Sequence, residues 1–171
     1  MHNLPTKSVA GRYTQLESHR HSFLERARDA SELTIPTLVP PDGHTGSTLY
    51  KTPYQSVGAR GINNLASKLL MALLPPNSPF FRLAIDDFDI EQLAGKDARG
   101  AVEEALARIE RASMQEIEAT AVRVPVHEAL KHLIVAGNAL VYLPKKGGMK
   151  VFRLDRYVVK RDTMGNVLEI I

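Results

Sequence analysis

Six histidines and nineteen carboxylates offer the raw material for metal or acid–base chemistry, and their spacing decides whether any of them can act together. His127-Glu128 followed by His132 has the outline of a zinc-binding helix, but two ligating histidines need positions i and i+4 to share a face. Here the separation is five, about 140° around the helix, so both are expected to be partly exposed helix residues. His19 and His21 stand two apart on a predicted helix and point to different sides. Asp86, Asp87 and Asp89 could present carboxylates to a nuclease metal. Acids just ahead of a helix more commonly serve as caps and dipole partners. There is no G-x-S-x-G elbow, no Walker loop and no cysteine nucleophile. The expectation is a protein that is not an enzyme and that carries no cofactor and no metal.

Two other groups of residues have the right types for binding. Gly58-Ala59-Arg60-Gly61 is a G-x-x-G pattern of the kind that KH domains use to clamp a nucleic-acid backbone. A KH loop joins two helices after a strand, whereas here a proline-marked helix start precedes the glycines and no strand comes before. The other reading is packing. A helical glycine costs about 1 kcal/mol against alanine, so a pair one turn apart implies a helix head that must approach another backbone closely. The second group is basic: Lys145, Lys146, Lys150, Arg153, Arg156, Lys160 and Arg161. With only Phe152 and Tyr157 as neighbouring aromatics, they suit weak electrostatic contact with a phosphate backbone or a partner better than sequence-specific recognition.

The elements that must position these residues are legible in the apolar spacing. Tyr13, Leu16, Phe23, Ala27 and Ala30 predict one long or two consecutive helices over about 8–33, ended by Pro36. Residues 36–51, rich in proline, glycine and small hydroxyl residues, read as a long irregular loop, the kind that does something or lies against a partner. Thr52-Pro53 reads as N-cap and first helical position. Ile62, Leu65, Ala66, Leu69 and Leu73 then make one stripe, and the all-apolar last turns are expected to be the most deeply buried element. Phe80 to Ile85 alternates like a strand. Asp89 and Gln92 suggest a capping box for a short helix. A longer helix follows, with Val102, Leu106, Ile109, Ser113 and Ile117 inward, and Pro125 opens another that ends at Gly137-Asn138. Beyond it, 139–143 pairs with 150–154 and 157–161 with 167–171 as two hairpins. The fold class is therefore α/β in the broad sense (α+β), several amphipathic helices followed by antiparallel hairpins. The expected divisions are a helical arm (1–35), a loop (36–51), a helical core with one strand (52–138) and the hairpins (139–171).

Composition sets outer limits. An apolar share of 44% and a charged share of 24% over 171 residues fit a globular domain with a real core. The absence of cysteine favours an intracellular or virion setting over a secreted one. No apolar run approaches a membrane span, and no signal peptide is visible at the start. The formal charge of +3 is unevenly spread: residues 86–118 carry ten acids and four bases, net −6, leaving +9 for the flanks. Such segregation suits acidic and basic faces that meet on neighbouring copies, or simply a solvated surface.

The stretch from Tyr50 to Leu69, YKTPYQSVGARGINNLASKL, resembles the signature of portal proteins, the head-to-tail connectors of short-tailed podovirus-type bacteriophages. Leu33 to Pro40, Glu128 through Asn138 to Pro144, and Tyr157 to Leu168 are similar in order and spacing, so the likeness spans nearly the whole chain. The resemblance implies a structural role in a ring of twelve subunits at one capsid vertex. Double-stranded DNA would pass through the ring non-specifically, driven in by the terminase and released into the tail. It further implies scaffolding protein, major capsid protein and tail adaptor as partners, a virion location with assembly in the host cytoplasm, and no membrane. This chain would be the N-terminal portion of the wing, without stem, clip or crown. Thr52, Pro53, Gly58, Arg60, Gly61, Asn63, Asn64 and Lys68 would then lie at subunit contacts or packing seams, and the basic hairpin residues above would contact DNA or a partner.

Overall fold

The computed structural model describes residues 8–76, 78–85 and 99–171. Among these residues four helices precede two small hairpins: α1 Val9–Glu32, α2 Val57–Leu73, α3 Arg99–Ala119, α4 Arg123–Ala136, β1 Leu140–Tyr142, β2 Lys150–Phe152, β3 Val159–Arg161 and β4 Val167–Ile170. A single 3-10 turn, Leu154–Arg156, links the hairpins. This is the expected α+β architecture. The capping-box helix around Asp89 and the carboxylates Asp86 to Asp89 lie outside the described residues.

α1 is one continuous helix, opened by Ser8, whose hydroxyl accepts the Gly11 N–H at 3.2 Å. Its buried side is Leu24, Ala27 and Ser31. Phe23, expected inside, is exposed, and the Arg26 guanidinium lies 4.8 Å from its ring centroid. The inward face is thus one residue off the aromatic one, because the chain that packs on α1 comes from the following loop. Leu38, Val39 and Pro40 are buried there, and the Ser31 hydroxyl, itself buried, accepts the Val39 N–H at 3.0 Å and donates to the Ile35 carbonyl at 2.8 Å. A stretch read as irregular loop therefore supplies core. Together with Leu24, Ala27, Leu154 and Tyr157 it forms the central cluster, flanked by Val135, Ala136 and Leu140.

α2 starts at Val57, four residues after Pro53, and its N-cap Ser56 makes no side-chain capping bond. The Thr52-Pro53 start is corrected accordingly: tertiary packing of the helix head outweighs a cap preference of about 1 kcal/mol. The depth of burial is also corrected. Ile62 and Ala66, near the middle, are the buried residues of α2, while Met71 and Leu73 in its last turns are exposed. α2 packs against α4, whose Leu130 is also buried.

Phe80 to Ile85 is extended but is not a strand. A strand needs a neighbour to bond its backbone, and here the Leu83 N–H donates instead to Glu110 Oε1 of α3 at 2.6 Å. α3 has the predicted helical extent, yet it buries no side chain, and Ile109 of its apolar stripe is exposed. Pro125 is the third residue of α4 rather than its first. Gly137 closes that helix in the left-handed conformation (φ 70°), as the sequence predicts, its N–H returning to the Leu133 carbonyl.

Both hairpins form antiparallel: Leu140 faces Phe152 across the first, and Val159 faces Ile170 across the second. In the second turn the Asp162 carboxylate accepts from the Asn166 side-chain amide and from the Met164 and Asn166 N–H groups, which holds its pKa below the ordinary carboxylate value. Among the described residues, no helix is long and apolar enough to cross a membrane.

Candidate subunit-contact surface

Gly58 and Gly61, one turn apart, meet different fates. Gly58 rests on the end of α1: a Cβ there would lie 2.8 Å from Thr34 Cγ2 and 3.1 Å from the Leu33 carbonyl oxygen. Gly61 faces open space, with nothing within 4 Å of its added Cβ. The close-approach reading therefore holds for Gly58 and is corrected for Gly61 within this chain. Both glycines are helical, so no loop exists here to wrap a nucleic-acid backbone in the manner of a KH domain.

The other motif residues form a display surface. Thr52, Arg60, Asn63, Asn64 and Lys68 are exposed and Pro53 is half-buried. Arg60 and Lys68 have no acidic partner among the described residues. In the same segment, Leu49 (97%) and Tyr54 (103%) are fully exposed, which is unusual for such large side chains.

The basic residues of the hairpins divide into two groups. Arg153 is half-buried, held by both Asp155 carboxylate oxygens (3.2 and 3.1 Å) and placed 3.3 Å from His44 Nε2. Arg156 shares Asp155 at 3.6 Å, and Arg161 donates to the Gly165 carbonyl inside its own turn. Lys145, Lys146, Lys150 and Lys160 are exposed without an acidic partner among the described residues. The lysines are thus free positive charge, Arg153 is tied into the fold, and Arg156 and Arg161 are exposed with local partners.

Among the described residues, no group of three His, Asp or Glu side chains could hold an ion. The polar cleft between α1 and the 3-10 turn contains Arg20, Arg28 and Arg156, each matched by a carboxylate: Glu17 at 3.5 Å, Asp42 in a two-pronged pair and Asp155. Such a cleft has little charge left for an anion.

Two buried polar side chains escaped the sequence reading. Arg20 reaches under the hairpins and donates to the Leu154 carbonyl at 2.6 Å and to the Tyr157 carbonyl. His132, expected to be partly exposed, is 2% exposed, and its Nδ1 has no partner among the described residues. Burial pushes its pKa below 6.5, against the pull of Glu128, whose carboxylate lies 3.5 Å from Nε2. The wrong-side position of Arg20 in the α1 pattern is the one sequence signal that could have found it. For His132 the spacing to Leu130 and Leu133 was equally compatible with either side.

A sequence model of the family described as "Bacteriophage head to tail connecting protein" matches residues 6–171. The chain belongs to that family. Its curated relatives include the portal protein of Enterobacteria phage T3, 47% identical over 164 residues, and the portal protein of Escherichia phage T7, 46% identical over 165 residues. The portal protein of Enterobacteria phage SP6 is 35% identical over 163 residues. Each alignment covers 93% of this chain and 30–31% of the relative, so the chain spans about a third of the length of the connector proteins it matches. The podovirus resemblance read from the Tyr50 to Leu69 signature is borne out.

Proposed function

We propose that this chain is the N-terminal part of the wing of a phage portal, contributing to a ring of identical subunits at one vertex of the virion. The role is structural: it shapes the channel through which double-stranded DNA is packaged and ejected, and it has no catalytic duty. Terminase, scaffolding protein, major capsid protein and tail adaptor are the partners that this role calls for, met in the host cytoplasm during assembly. The observation that carries the reading is the pairing of family membership with a surface built for contact: exposed Leu49, Tyr54 and the outward side of α2, beside unpaired Arg60 and Lys68. Gly58 acts inside the subunit, as a packing seam, and Thr52, Pro53, Arg60, Gly61, Asn63, Asn64 and Lys68 act between subunits. Lys145, Lys146, Lys150 and Lys160 meet phosphates or an acidic neighbour, with exposed Arg156 and Arg161 beside them and half-buried Arg153 supporting the hairpins.

The test is the assembly state of the full chain by sedimentation velocity and electron microscopy at several salt concentrations. A closed ring of copies is expected, weakening as ionic strength rises. A monomer under all conditions would remove the reading.

A further inference from the structure

α2 buries Ile62 and Ala66, and among the described residues the neighbouring seam of Val57, Gly61, Leu65, Lys68 and Ala72 is left exposed. Val57 (66% exposed), Leu65 (47%) and Met71 stand in solvent, beside Gly61 and Ala72. The only charges on α2 are Arg60 and Lys68, neither paired among the described residues, and it has no acid at all. α3 is its electrostatic complement. With five glutamates and three arginines it is net −2, it buries no side chain, and Ala101, Ala105, Ile109 (53% exposed) and Ala112 follow one another along its open side. Glu116 has no side-chain partner among the described residues, and Glu104 has only a loose, exposed contact to Arg108 at 3.8 Å.

We propose that the open side of α2 receives α3 of a neighbouring copy, antiparallel, with Leu65 against Ile109. Residues 57–72 and 101–116 are equal in length, each about 24 Å of helix. In that register Lys68 comes within one turn of Glu104, and Arg60 within one turn of Glu116. Gly61 meets Ala112, so the absence of a Cβ lets the two backbones approach. The contact is heterologous: each copy offers α2 to one neighbour and α3 to the other, the arrangement that closes into a ring instead of stopping at a dimer. Desolvating Val57, Leu65, Ile109 and the alanines gives the attraction, and the charge pairs set register and direction. This inference rests on the reading of the chain as a ring subunit.

The chain has no cysteine, so introduced thiols report without background. In the full chain, Leu65→Cys combined with Ile109→Cys is oxidised and run without reductant, beside the two single variants, with sedimentation recorded in parallel. A ladder of covalent dimers, trimers and higher species from the double variant alone is the expected result. Lys68→Glu should weaken association about tenfold at low salt, and Glu104→Lys added to it should restore most of the loss. Oligomers that sediment normally yet give no ladder would overturn this contact and leave the ring reading standing. A chain that never associates would end both. A cross-link confined to the monomer would show that α2 is covered by its own chain, and would overturn the contact as well.

Discussion

Gly58 of α2 lies against Thr34 at the end of α1, so closely that a Cβ on the glycine would come within 2.8 Å of the threonine Cγ2. The Leu33 carbonyl oxygen, at 3.1 Å, is backbone and cannot swing aside. This contact fixes where α2 begins and how it leaves the α1 end, and through α2 it fixes the surface that the chain displays.

The first prediction separates the two glycines. Gly58→Ala should destabilise the fold by about 1–3 kcal/mol, since overpacking forces the α1 end to move. Gly61→Ala should be neutral or stabilising by up to about 1 kcal/mol, because its Cβ meets nothing and alanine favours helix. Urea unfolding of both variants measures the difference, and equal effects would show that Gly58 is not the close-packed one. Gly61→Leu should leave the fold intact and impair assembly.

Arg20 ties α1 to the hairpin linker through the Leu154 and Tyr157 carbonyls. Arg20→Met keeps much of the side-chain volume and removes both bonds, so a loss of about 2–3 kcal/mol is expected. The urea midpoint should fall with an unchanged slope. A variant as stable as the parent would mean that the linker is held by apolar packing alone.

His132 makes stability depend on pH. Burial lowers its pKa below the ordinary 6.5, so in the window beneath that value the unfolded chain takes up a proton that the folded chain resists. The His132 contribution is therefore complete above pH 6.5 and is lost as the pH falls through the folded pKa. The groups around the ring are Glu128, Lys131 and Arg153, and the glutamate limits the loss. His132→Leu should flatten the dependence of Tm on pH between about 7 and 5. An identical slope in parent and variant would assign the acid sensitivity to other groups.

Ala121, in the turn between α3 and α4, has φ 50°, a left-handed conformation that disfavours a side chain. Ala121→Gly relieves that strain at the cost of extra freedom in the unfolded chain, for a net gain of about 0.5–1 kcal/mol. Differential scanning calorimetry should show a higher Tm. A lower one would mean that the turn is held by contacts of the Ala121 methyl.

The amino-acid order alone determined the helices, the two hairpins, the left-handed stop at Gly137 and, through the Tyr50 to Leu69 signature, the connector family. Those are local properties: helical and strand periods, turn glycines and a contiguous motif all survive in one dimension. What failed were statements about depth and partnership. Phe80 to Ile85 alternates as a strand should, but it lacks a neighbour, and only a ladder makes a strand. Leu38 to Pro40 carry the marks of a loop, yet they are core because Ser31 and Arg28 bond their backbone and seat them on α1. Thr52-Pro53 has the chemistry of a helix start, and the Gly58 contact places the start four residues later.

The surface proposed for subunit contact shows the same division. Its residue types, small and apolar with unpaired cations, stand in the sequence of α2 for anyone to read. How much of its apolar stripe turns inward was decided by the fold: α2 packs against α4 with Ile62 and Ala66 buried, while Leu65 of the same stripe stands in water. Periodicity defines a helix's apolar face, but only a neighbouring element in space decides how much of that face is covered.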